Sequence, residues 1–166
     1  NGKFNSALGF RQPGSSLMPY LYSYAFSKDK NPDTSFSNLP FTATIDRGGK
    51  QELITINNVS NYQSPIENLL NSLNQRYIIP SVELTSSLGE NKVSDNFNEF
   101  DTLNIADRPN CTIALVMEGC EKDLLDLTFF YSVLKNEGLK IPINTVNSIK
   151  RFDENGKRLI AFIRFY

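Results

Sequence analysis

The hydrophobic pattern is strongest between Asn110 and Tyr166. Cys111 to Met117 is a continuous apolar run, with Cys111, Ile113, Leu115 and Met117 on one face and Thr112, Ala114 and Val116 on the other. A strand apolar on both faces belongs to the middle of a covered sheet, and Gly119 ends it. The spacing then predicts a helix from about Glu121 to Glu137, with Gly138 at the position of a C-terminal cap. Glu121 and Asp123 in its first turn and Lys135 in its last suit the helix dipole. Two apolar stripes run along this helix. Leu124, Leu127, Phe130, Tyr131 and Leu134 form one; Leu125, Phe129 and Val133 form the other. A helix lying on one sheet needs only the first stripe. The second therefore requires its own cover, from the N-terminal segment, another layer or a partner. Asp153 to Lys157 predicts a hairpin turn, because Asn155-Gly156 accepts positive φ. Leu159, Ala161, Ile163 and Phe165 give its second strand an apolar face.

Earlier in the chain, residues 1–40 are rich in Asn, Ser, Gly and Pro, which is loop chemistry. Within them Tyr20, Tyr22, Tyr24 and Phe26 alternate with Leu21, Ser23 and Ala25. That is the period of an extended strand with an aromatic face, and Pro19 places it at an edge or in an arm. Phe41–Asp46 and Gln51–Asn57 predict a hairpin around Gly48-Gly49. These glycines lie between strands and not at a helix N-terminus, so they are no phosphate loop. Ser64-Pro65-Ile66-Glu67 has the form of a capping box and predicts a helix to about Gln75. Tyr77 to Ser86 predicts a short strand interrupted by Pro80. Residues 88–110 predict a long acidic loop containing Phe97, Phe100 and Leu103. Together these elements predict an α+β class: a single domain over residues 40–166, with a mixed or mostly antiparallel sheet, two helices packed on it, and an extended N-terminal arm over residues 1–39.

Composition narrows the chemistry. The 166 residues suffice for one sizeable core. No apolar run approaches the ~20 residues of a membrane span. The chain begins at Asn1 and not at Met, as a processed or trimmed product does, so its start leaves localisation unknown. There is no histidine, which removes His-dependent triads and His metal sites. Cys111 and Cys120 lie at opposite ends of the predicted strand. At about 3.3 Å per residue they are too far apart for a disulfide, which needs Cα atoms within about 7 Å. No cofactor and no metal site are expected. Asn58-Val59-Ser60 and Asn110-Cys111-Thr112 match the glycosylation sequon, but chance matches are expected with 19 asparagines.

Charge is uneven: +2 over residues 1–60, −7 over 61–137 and +4 over 138–166, for a net −1. An acidic middle and a basic end are complementary between copies of a chain. Three functional readings follow. The leading one is a non-enzymatic assembly subunit making protein–protein contacts in an oligomer or larger complex, through Tyr20, Tyr22, Tyr24, Phe26, Leu125, Phe129 and Val133. Its arm and hairpins are similar to those of small subunits of virions, phages or secretion machines. The second is an enzyme or ligand-binding domain. It would use acidic residues of the 88–110 loop (Asp95, Glu99, Asp101), the pairs of Glu118 with Glu121 or Asp123, or the Cys120 thiol where strand turns into helix. Glu118 and Glu121 flank that thiol and oppose its ionisation. The third is single-stranded nucleic-acid binding by the C-terminal hairpin, where Phe152, Phe162 and Tyr166 lie beside Arg151 and Arg164.

Overall fold

The computed structural model describes residues 5–47, 50–58, 64–99, 121–143, 151–156 and 158–159. The fold is α+β. It divides into two compact units, residues 1–127 and 128–166, each described on its own.

In the first unit a 3₁₀ turn, Gly14–Leu17, leads into helix α1, Met18–Phe26. Strands β1 (Ser35–Ser37), β2 (Phe41–Arg47), β3 (Lys50–Ile56) and β4 (Ile66–Asn68) follow, then helices α2 (Leu69–Gln75), α3 (Ile78–Leu88) and α4 (Glu90–Asn98). Helix α5 spans Leu124–Lys135. The pairings are antiparallel: β1 with β4, and β2 with β3 in a register that sets Phe41 opposite Ile56 and Arg47 opposite Lys50. The 41–57 hairpin is therefore as expected. Ile56, Ile79 and Val82 form a buried cluster, with Phe41, Ala43, Ile54 and Ile78 packed against it. The ribbon β2–β3 thus lies on α3.

Several expected elements are replaced by helices. Tyr20 to Phe26 is helical, not extended. The alternation of aromatics had a competitor in the same residues. Leu17, Met18, Leu21, Tyr22 and Ala25 recur at helical spacing, and these are the side chains that are buried. Pro19 sits in the first turn of α1, where its missing N–H costs nothing. Buried nearly all round, α1 packs against α2, α3 and α4. Tyr77 to Ser86 also belongs to a helix. Pro80 is the third residue of α3, within its first turn, and the β-branched Ile78, Ile79 and Val82 are held by burial against local preference. Buried hydroxyls on α3 are satisfied by the turn before: Ser81 Oγ donates to the Tyr77 carbonyl at 2.8 Å and Thr85 Oγ1 to the Ser81 carbonyl at 2.8 Å. Part of the expected 88–110 loop is α4, which follows α3 after Gly89 and buries Val93 and Phe97.

The helix expected from Ser64 starts later. Ile66–Asn68 is drawn into a strand against β1, and Asn68 becomes the cap of α2, its Oδ1 accepting from Asn71 N at 2.8 Å. The chain reaches α3 through an unusual cap. Asn58 lies twenty residues upstream, and its Oδ1 accepts from Ile78 N at 2.8 Å and Ile79 N at 3.1 Å. Its Nδ2 donates to Asn38 Oδ1 at 2.5 Å, and the fully buried Asn38 donates in turn to the Ser64 carbonyl at 3.1 Å.

The long helix forms as expected but starts at Leu124. Asp123 is its cap, with Oδ1 accepting from Asp126 N at 2.8 Å. In the second unit the expected Gly138 ends the helix, at φ +90°, donating its N–H to the Val133 carbonyl. The hairpin around Asp153 pairs β5 (Arg151–Phe152) with β6 (Arg158–Leu159), and Gly156 takes φ +74°. The expected strand at 111–118 and both cysteines lie outside the described residues. So do residues 160–166, which hold most of the apolar face of the last strand. No helix among the described residues is long and apolar enough to cross a membrane.

Candidate functional site

The first unit gathers buried polar side chains around α1. Gly14, at φ +54°, opens the 3₁₀ turn, and Ser16 N–H donates to the Pro13 carbonyl. Ser15 and Ser16 stay exposed on this turn, while Leu17 and Met18 are buried. In a 3₁₀ turn residues three apart eclipse one another, so Met18 follows Ser15 on one face. One turn further on, Tyr22 is fully buried, with its hydroxyl 2.9 Å from Ser81 Oγ of α3. Ser72 of α2 is also fully buried beside this pair. Its Oγ has no hydrogen-bond partner of ordinary length among the described residues.

Tyr20 points from α1 towards α4. Its hydroxyl donates to Asn96 Oδ1 at 2.5 Å, and its ring meets the Phe97 ring edge-on, 4.7 Å between centroids at 73°. Lys122 approaches the same Phe97, with Nζ 4.4 Å from the ring centroid. This lysine is 6% exposed. Its backbone pairs in both directions with Arg11, at 3.1 and 2.9 Å, and Leu125 N–H donates to the Ala7 carbonyl at 3.3 Å. The segment leading to the serines is thereby fastened to the start of α5.

Burial raises the pKa of both phenols. For Tyr20 the charges of Glu99 and Tyr24 act in the same direction; for Tyr22 the Ser81 and Ser72 hydroxyls partly oppose it. Both phenols are therefore neutral at physiological pH. The folded state holds these protons more tightly than the unfolded chain, whose tyrosines titrate near 10. Stability should be intact below pH 10 and fall above it, by up to about 1.4 kcal/mol per pH unit for each phenol. Chemical denaturation at a series of alkaline pH values should show this slope, and Tyr22→Phe should lower it. A flat profile in the wild type would contradict the assigned burial.

The residues expected to form an interface are distributed differently. Tyr20 and Tyr22 are buried within the chain, Tyr24 is half-buried, and Phe26 is exposed at the end of α1. On α5, Val133 is buried and Leu125 and Phe129 are half-buried. The first stripe does not form one covered face: Phe130 is buried, but Leu124, Tyr131 and Leu134 are exposed, and the buried Asp126 shares the helix. The expected carboxylate sites do not assemble among the described residues. Asp95, Glu99 and Glu121 are exposed, Asp123 is used as a helix cap, and no group of three metal-ligating side chains is found among the described residues. Cys120, Glu118, Asp101, Phe162, Arg164 and Tyr166 lie outside the described residues.

No protein-family model matches the sequence, and no curated protein matches it. Solved structures do match the fold. It is similar to part of several penicillin-binding proteins. One is penicillin-binding protein 1A from Haemophilus influenzae, with a TM-score of 0.78 and 22% identity over 96% of this chain and 23% of that one. Another is PonA1 from Mycobacterium tuberculosis, with a TM-score of 0.75 and 19% identity over 96% of this chain and 42% of that one. PonA1 in complex with penicillin V gives 0.75 and 18%, over 96% and 43%. The chain thus spans less than half the length of these proteins. The likeness overturns the expectation of a non-enzymatic assembly subunit of a virion or secretion apparatus. The aromatic segment behind that expectation is a core helix and not an arm.

Proposed function

We propose that this chain is part of a penicillin-binding-type domain acting in cell-wall synthesis, with Ser15 at its ligand-recognition site. Penicillin-binding proteins carry a serine nucleophile in an S-x-x-K motif, followed along the chain by S-D-N and K-T-G motifs. The supporting observation is the placement of two related sequences here. Ser15-Ser16-Leu17 lies in the 3₁₀ turn that leads into α1 at Met18, and Ser72-Leu73-Asn74 lies in α2, which packs against α1. The first keeps the serine and its spacing; the second keeps the serine and asparagine at positions one and three. No Lys-Thr-Gly occurs in these 166 residues. An exposed serine on a tight turn leading into a helix offers its hydroxyl to a carbonyl ligand.

Titrating the intact protein with penicillin V, followed by calorimetry, should give saturable one-to-one binding. Ser15→Trp should abolish it by filling the approach to the turn, with the thermal melt unchanged because Ser15 is exposed. Equal binding by the wild type and Ser15→Trp would remove this assignment.

A further inference from the structure

Resting on that reading, we infer that the site recognises β-lactam-like acyl ligands without becoming acylated, because the position of the motif lysine is filled by the buried thioether of Met18. Acylation would form a bond from Ser15 Oγ to the lactam carbonyl carbon and break the lactam C–N bond. The hydroxyl proton must leave Ser15 and reach the ring nitrogen. A serine hydroxyl is a weak nucleophile until a neighbouring base takes that proton. Three residues beyond the serine and on the same face, a lysine amine is placed to do so or to hold the hydroxyl by charge. Methionine has no titratable group, and its sulfur is only a weak acceptor.

Nothing else on the element replaces the missing base. Gly14 to Phe26 contains no Lys, Arg, His, Asp or Glu. The two buried tyrosines on α1 have raised pKa values and are engaged by Asn96 and Ser81, so neither takes up a proton at neutral pH. The whole chain has no histidine. Met18 is 1% exposed and packed as core, in a helix start whose other inward residues are Leu17 and Leu21. The substitution is thus built into the packing of α1. The serine face is left able to present its hydroxyl, but not to drive acyl transfer.

Intact-mass spectrometry of the protein incubated with penicillin V tests this, alongside calorimetry on the same samples. Saturable binding with no added mass is the expected result, with weaker binding in Ser15→Ala because it lacks the hydroxyl offered to the ligand. Met18→Lys should then gain an adduct on Ser15, at a rate about 10²–10⁴-fold above the wild type, the usual contribution of a general base. An adduct on Ser15 of the wild type, forming as fast as in Met18→Lys, would overturn the inference while leaving the recognition site standing. No binding by the wild type would remove the recognition site, and the inference with it. Burying an ammonium at position 18 endangers folding, so circular dichroism accompanies that variant. Should it not fold, the wild-type and Ser15→Ala measurements still decide between bound-unreacted and acylated.

Discussion

Phe97→Ala is expected to destabilise the first unit by about 3–5 kcal/mol, the range for removing a large aromatic from a core. Phe97 is 3% exposed and is the meeting point of three segments. Tyr20 of α1 lies against its ring edge-on, and Lys122, at the start of α5, holds its Nζ over the ring at 4.4 Å. Alanine would leave a cavity and remove the aromatic face from a desolvated ammonium, a contact that contributes of the order of 2 kcal/mol when buried. Because Lys122 pairs with Arg11 through the backbone, the damage should spread to residues 7–15. Phe97→Leu keeps much of the volume but no π-face. It should cost clearly less than alanine, and still loosen the Arg11–Lys122 pairing. Urea denaturation gives the stability difference, and hydrogen exchange at the Arg11 and Lys122 amides reports the local effect. A loss under 1 kcal/mol for Phe97→Ala would show that this junction does not support the core.

Asn58→Ala should cost about 2–4 kcal/mol. The Asn58 carboxamide accepts from two N–H groups at the start of α3, and losing such a cap costs about 1–2 kcal/mol. It also donates to Asn38, whose side chain is fully buried and would be left with an unmet acceptor, adding about 1–3 kcal/mol. Asn58→Asp separates the two effects. The carboxylate still caps α3 and suits the helix dipole, but it cannot donate to Asn38. The aspartate variant should therefore lose less stability than alanine. If alanine and aspartate are equally mild, the network is not what fixes the start of α3.

The local signals that survived in the structure are those whose chemistry is confined to a few neighbouring residues. The Asn155-Gly156 turn, the Gly138 stop and the 41–57 hairpin each depend on backbone conformation or strict alternation within one short segment. The α+β class was legible for the same reason. Segments 20–26 and 77–86 were not. Each carries two periodicities at once, and a buried helix needs no polar face to reveal its period. Tyr20, Tyr22, Tyr24 and Phe26 alternate, yet burial follows Leu17, Met18, Leu21, Tyr22 and Ala25. In α3, the β-branched Ile78, Ile79 and Val82 favour a strand locally, and only packing against β2–β3 and α1 selects the helix.

The candidate site was hidden by the same limit. Ser15 and Ser16, in a stretch of Gly, Pro and Ser, read as loop, and Ser72 as one polar residue in a short helix. The available signal was the change from loop composition to helical periodicity immediately after the two serines. By itself the sequence determined the local stops and turns, the absence of histidine, and the neutral Met18 three residues after Ser15, since these are properties of residues and spacings. That the helix following Ser15 packs against the helix carrying Ser72, that Asn58 caps a helix twenty residues away, and that Lys122 is held over Phe97 were decided by tertiary structure alone. Those are contacts between distant segments, whose formation depends on which faces are buried together, and no local spacing encodes that choice.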